Sequence, residues 1–175
     1  MMVDAFKIAS SVIVIAEISL LISAAWRDVA VRLIPNRICL ILALFGIANR
    51  LLLGPLDLAI SLGLAAGVFF SLSMLFFFGV VGGGDVKLWA ALAAGLSPLT
   101  LMHSLSVTLL AGGLLAMLHL AMRHLPRPSA STNNASALRR VCAVERWRIL
   151  RHAPLPYGVA IACGGIWVML PAIGA

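Results

Sequence analysis

Apolar and polar positions in this chain fall into long blocks. Apolar runs extend from about Phe6 to Trp26, Ile38 to Leu53, Leu56 to Val81, Val86 to Leu96, Leu99 to Met122 and Leu155 to Ile173. The long runs approach the roughly 20 residues an α-helix needs to cross a hydrocarbon core about 30 Å thick. A membrane barrel would show segments of about ten residues alternating in polarity, and no such alternation is present. Within lipid, only helices then satisfy their own backbone. The pattern predicts an all-α, polytopic bundle of about six spans, with residues 1–175 as one domain and a basic loop at 123–154. The fourth run is short and reads as a tilted or partial span, which would leave five full crossings. The first run is longer than the apolar stretch of a signal peptide. Ser23-Ala24-Ala25 matches a cleavage site only loosely, so this run is expected to remain as a span.

Composition supports this picture. The 175 residues are 62% apolar and 11% charged, and the mean hydropathy is +1.09. A soluble domain carries about 25% charged residues, so the solvent for most of this surface is lipid. The net charge of +7 does not indicate nucleic acid, because the arginines sit between apolar runs rather than on one face of a soluble fold. With six spans and the N-terminus outside, eleven of the thirteen Lys and Arg fall in segments 26–37, 82–87 and 123–154. The positive-inside bias makes those segments cytoplasmic. Leu138 to Leu150 reads either as an amphipathic helix on anionic headgroups or as a solvated loop. Cys39, Cys142 and Cys163 are far apart and form no CxxC pair, which disfavours structural zinc and a disulfide framework.

The chemistry rests with six acidic residues: Asp4, Glu17, Asp28, Asp57, Asp85 and Glu145. An acid near a span is costly and is a functional candidate by default. Asp28 follows the first span and Asp85 the third, so two crossings return both to one membrane face. Two adjacent carboxylates cannot easily both ionise, and the pair shares a proton. The ionised member can draw a proton from water while the other donates to a peptide carbonyl. Such work needs no metal or bound cofactor. Gly82-Gly83-Gly84 before Asp85 offers unusual torsions and close approach, or simply a turn with Asp85 capping the next helix. Pro35 breaks the chain before the second span, and Asn36 can cap that helix. Glu17, mid-span, lies about 16 Å from Asp28 along a helix. It is expected to pair with Arg50 or a histidine, or to stay protonated. Asp4, Asp57 and Glu145 read as surface charges, and His103 and His119 as packing or interhelical hydrogen-bonding groups. There is no HExxH zincin signature.

Three segments together resemble the type IV prepilin peptidases, in particular the short form associated with Flp/Tad pili. They are Asp28 with its following basic residues and Ile34-Pro35-Asn36, the GxGD segment Gly82-Gly83-Gly84-Asp85-Val86-Lys87-Leu88, and Leu155-Pro156-Tyr157-Gly158-Val159-Ala160. Order and spacing match over nearly the whole chain. The resemblance implies an aspartyl endopeptidase of the bacterial inner membrane with Asp28 and Asp85 as the catalytic pair. Its partners would be the lipid bilayer and prepilins, whose short basic leader is removed at the cytoplasmic face. Gly82, Gly83, Gly84, Lys87, Pro35, Asn36, Pro156, Tyr157 and Gly158 would support the site or bind substrate. Longer relatives carry a cysteine-rich insertion and also N-methylate the product. This sequence lacks the CxxC pairs, so peptidase activity alone is expected. The alternatives are a small proton- or cation-coupled transporter subunit, a GxGD protease for other membrane substrates, or an inactive assembly component.

Overall fold

A computed structural model describes residues 2–123 and 155–173, with side chains from 9 to 122 and from 155 to 173. The described residues form helices α1 (Met2–Val31), α2 (Asn36–Leu53), α3 (Pro55–Phe77), α4 (Gly83–Ala93), α5 (Pro98–Arg123) and α6 (Tyr157–Met169), then a 3₁₀ turn (Leu170–Ile173). All six expected runs are helical. Four segments are long and apolar enough to cross a membrane: Ala9–Val31, Asn36–Leu53, Pro55–Phe77 and Pro98–Met122. Large apolar side chains such as Phe77 (91% exposed) and Leu110 (75%) stand outward, as they do when lipid is the solvent. The chain is an integral membrane helix bundle. The basic loop, Cys142, Glu145 and the Leu138–Leu150 segment lie outside the described residues.

Helices α1, α2, α3, α5 and α6 form a ring, closed only lightly between α3 and α5, and α4 packs inside it against α2, α3 and α6. Eleven residues make α4 about 16 Å long, too short to cross the bilayer. It is buried instead through Val86, Leu88, Trp89, Ala91, Leu92 and Ala93. Its side chains join Leu21, Leu42, Leu101 and Ile161 in the core.

Local chemistry fixes the helix ends. Helix α3 stops in a Schellman turn, with Val80 N–H on Leu75 O at 3.0 Å and Gly79 N–H on Phe76 O at 2.9 Å. The turn needs a left-handed residue, supplied by Gly79 at φ 72°. Helix α1 ends at Arg32, a non-glycine residue at φ 59°, whose N–H meets Asp28 O at 2.9 Å. Gly54, at φ 142°, alone joins α2 to α3. Helix α5 begins in a reciprocal cap, with Ser97 N–H on Thr100 Oγ1 at 2.8 Å and Thr100 N–H on Ser97 Oγ at 3.2 Å.

Small residues set the helix spacings. Ser104, Thr108 and Gly112 recur every four residues along α5 and receive Gly164 and Tyr157 of α6, a small-xxx-small seam. Along the antiparallel α1–α6 contact, Gly158 lies against Asp28 and Gly165 against Leu21, seven residues apart on both helices. A Cβ on Gly46 would stand 2.7 Å from Gly95 Cα, whereas one on Gly67 would meet nothing within 4 Å. Backbone cannot yield as a side chain can. Gly46→Ala should therefore cost about 1–3 kcal/mol. Gly67→Ala should be neutral or stabilising by up to about 1 kcal/mol through helix propensity. Thermal inactivation midpoints in one detergent would check the contrast.

Candidate active site

Asp28 lies in the last turn of α1 and is buried at 7% exposure. Its Oδ2 accepts the N–H of Gly158 at 2.8 Å. That donor is available because Gly158 is in the first turn of α6, where backbone N–H groups have no intrahelical acceptor. The approach also requires glycine. A Cβ at position 158 would lie 2.8 Å from Oδ2 and 3.1 Å from Cγ of Asp28.

Asp85 is in the first turn of α4, after the N-cap residue Gly82 at φ −74° and ψ 142°. A helix N-terminus favours a carboxylate, yet Asp85 is raised from 3.8 to about 6. Burial is the largest cause, and the negative charge of Asp28 is the second. A hydrogen bond with the Gly82 backbone and the charge of Arg32 pull the other way. The two carboxylates thus lie within electrostatic reach of one another, at the same end of the bundle.

The glycines act by space rather than torsion, a correction to one reading of this segment. None of Gly82, Gly83 and Gly84 has a positive φ. A Cβ on Gly82 would crowd Asp85 Oδ2 at 3.1 Å, and one on Gly83 would meet the Phe76 ring at 3.3 Å. One on Gly84 would stand 3.6 Å from Ile34 Cβ, so the turn between α1 and α2 rests on the start of α4.

Asn36 does not cap α2. The N-cap position is Pro35, no side-chain cap forms, and Asn36 is the first helical residue. Its Oδ1 instead accepts Lys87 Nζ at 3.0 Å. Lys87, expected to support the site or bind substrate, has this amide as its hydrogen-bond partner among the described residues. Pro156 is buried at the N-cap of α6. Tyr157 lays its ring against Gly112 of α5, with the contact atoms 2.8 to 3.1 Å from where a Cβ would be. The three sequence segments thus converge: Gly158 on Asp28, Ile34 on Gly84, and Asn36 on Lys87.

Arg32, the basic residue between Asp28 and Ile34 in the motif, is given no role of its own from the sequence, although its spacing of four from Asp28 is a signal. Asp57 is exposed, as read from the sequence. His103 is also exposed rather than packed between helices. Among the described residues, no three His, Cys, Asp or Glu side chains gather to hold a metal ion.

Beside the carboxylates, α2, α3 and α4 enclose a groove of about 540 Å³. Its polar mouth is Asn36, Arg37 and Lys87, and its walls include Leu40, Phe69 and several alanines. A second hollow of about 250 Å³ shares Phe69 and Lys87 and extends to Phe76 and Gly83. Neither carboxylate lines these spaces. The second hollow is lined by Gly83 and Val86, on either side of Asp85 in the chain.

The pattern that defines the type IV leader peptidase family matches residues 15–117, which includes Asp28 and the Gly82–Asp85 turn. Among curated proteins, the prepilin leader peptidase/N-methyltransferase of Bacillus subtilis (strain 168) is 35% identical over 156 residues. That alignment covers 87% of this chain and 53% of that protein, so the chain spans about half the length of the curated relative. No solved structure matches. With the carboxylates, the glycine turn and the Ile-Pro-Asn segment all within the matched region, the chain belongs to the type IV leader peptidase family.

Proposed function

We propose that this chain is an aspartyl endopeptidase that removes the short basic leader from prepilins and pilin-like proteins. The bundle end carrying Asp28 and Asp85 would face the cytoplasm of a bacterial inner membrane, as the distribution of Lys and Arg suggests. The observation that carries the reading is the pair itself: Asp28 holding the Gly158 N–H at 2.8 Å, and Asp85 raised to about 6 beside it.

The two environments support a division of labour. Asp28 is taken as the ionised member, because its Oδ2 already has a fixed donor of the kind an anionic oxygen favours. It draws a proton from the attacking water. Asp85 is taken as the protonated member and donates to the carbonyl oxygen as the tetrahedral intermediate forms. The apolar segment of the substrate would lie in the groove between α2, α3 and α4, whose alanines allow a helix to approach closely. The leader would then pass the Asn36–Lys87 mouth toward the carboxylates. Peptidase activity without methyl transfer is expected from the lack of CxxC pairs.

The test is a purified chain in proteoliposomes with a pilin-like precursor. Leader loss with an unmethylated new N-terminus is expected. Cleavage should decline as pH rises past about 6, because Asp85 then loses its proton. Arg32 lowers Asp85, so Arg32→Gln should move that alkaline limb upward. An intact precursor across the pH range would refute the activity. A limb unmoved or lowered in Arg32→Gln would refute the assignment of Asp85 as the acid.

A further inference from the structure

A second polar group lies deeper in the bundle, in a region the proposed chemistry does not use. Glu17 of α1 is 3% exposed. Its Oε1 lies 3.3 Å from where a Cβ on Gly95 would stand, and Gly95 is in the turn that ends α4. Arg50 of α2 donates Nε–H to the carbonyl of Gly95 at 2.9 Å. Arg50 also interacts electrostatically with Asp57 at the start of α3 and, less strongly, with Glu17. Gly46 presses on Gly95 from α2. One point at the end of α4 is therefore gripped by α1 and α2 together.

The spacing gives that grip a consequence. From Asp28 back to Glu17 is eleven residues along α1. From Asp85 forward to Gly95 is ten residues along and just beyond α4. At 1.5 Å per residue the two intervals are about 16 and 15 Å. Helices α1 and α4 run in opposite directions, so Asp28 and Asp85, which sense each other's charge, lie near one level and Glu17 and Gly95 lie near a second. We infer that Glu17 and Arg50 are positioning residues that hold α4 at the height where Asp85 faces Asp28.

Such a stop adds to the packing of Leu88, Trp89 and Leu92 in the core, because the face of α4 that lines the groove carries the small residues Ala90, Ala91 and Ala94, which give little resistance there. A slide of one residue is 1.5 Å, and a misplacement of about 1 Å can cost on the order of 10²-fold in rate. Two ionisable side chains in an apolar bundle are an expensive way to pack space. Arg50 keeps its fixed acceptor, the Gly95 carbonyl at 2.9 Å, only while the end of α4 stays at this height, so the arrangement favours one register.

The inference rests on reading Asp28 and Asp85 as the reacting pair, and its test has a readout independent of cleavage. In a chain with Cys39, Cys142 and Cys163 changed to alanine, Ile34→Cys and Gly84→Cys form a distance gauge at the start of α4. The corresponding Cβ positions are 3.6 Å apart, inside the range for a disulfide. Rapid cross-linking under mild oxidant is expected. Adding Glu17→Gln or Arg50→Gln should slow it several-fold, because a one-residue slide of about 1.5 Å, together with the turn of the helix that goes with it, moves the position-84 side chain off Ile34 toward or beyond the end of the disulfide range. With native residues at 34 and 84, each variant should lower kcat by about 10²-fold while leaving KM unchanged. The double variant should lose little more than either single one. Parental cross-linking in variants that accumulate normally would overturn the inference. If Arg50→Gln fails to accumulate, the isosteric Glu17→Gln decides. If cross-linking responds while the parent cleaves no precursor, the register lock stands and the peptidase reading fails.

Discussion

Asp85→Asn should reduce leader cleavage by about 10³-fold or more, since a positioned general acid contributes about 10²–10⁴-fold and this one also tunes its partner. Asp28→Asn should match it, and the double variant should be no worse, because the two groups act as a unit. The more discriminating result concerns stability. Asp85 has an ordinary value of 3.8 and is raised to about 6 in the folded bundle. Below 3.8 it is protonated both folded and unfolded. Between 3.8 and about 6 the folded state keeps a proton that the unfolded state releases. Stability from this group is therefore fully present at low pH and is lost as pH rises through about 6. Asn cannot ionise, so Asp85→Asn should match the parent near pH 4 and become the more stable of the two above pH 6. Thermal unfolding in detergent at several pH values, read from the loss of monodisperse, helical protein rather than from activity, would measure this. An inactive variant that is also less stable at pH 8 would mean that Asp85 serves structure rather than chemistry.

Gly158→Ala is expected to be nearly as damaging, although it removes no reactive group. The added methyl would stand 2.8 Å from Asp28 Oδ2 and 3.1 Å from both its Cβ and Cγ. These atoms belong to a short side chain with no far end to swing aside. Either α6 retreats from α1 or Asp28 turns away, and in both cases the 2.8 Å hydrogen bond from the Gly158 N–H is lost. A displacement near 1 Å supports a loss of about 10²-fold in kcat. KM should change little, because the groove proposed to hold the substrate lies between α2, α3 and α4 rather than against α6. Full activity in Gly158→Ala would show that the Asp28–Gly158 contact does not position the carboxylate.

Much of this is legible in the sequence. The six apolar runs became six helices because burying a backbone in lipid admits few other solutions. The common level of Asp28 and Asp85 followed from counting crossings. Details of contact were not legible. Asn36 looked like a helix cap because a side chain of that type before an apolar run commonly serves as one. Its role as acceptor for Lys87, 51 residues away, is a matter of packing between α2 and α4. The glycines before Asp85 suggested unusual torsions, but their neighbours Phe76 and Ile34 show that clearance is what they supply.

The sequence by itself determined the solvent, the fold class, the helix boundaries to within a few residues, and which acids could share a membrane face. These follow from local hydropathy and chain order, which act over one span at a time. Only the tertiary structure decided that α4 sits inside the ring rather than beside it. It alone brought Gly158 against Asp28 from 130 residues away and Gly95 between Glu17 and Arg50. Such contacts depend on which helix faces press together, and small residues on several helices can satisfy the same hydropathy pattern in many arrangements. The arrangement adopted is the one in which the glycines admit close approach and Asp28 and Arg50 find backbone partners.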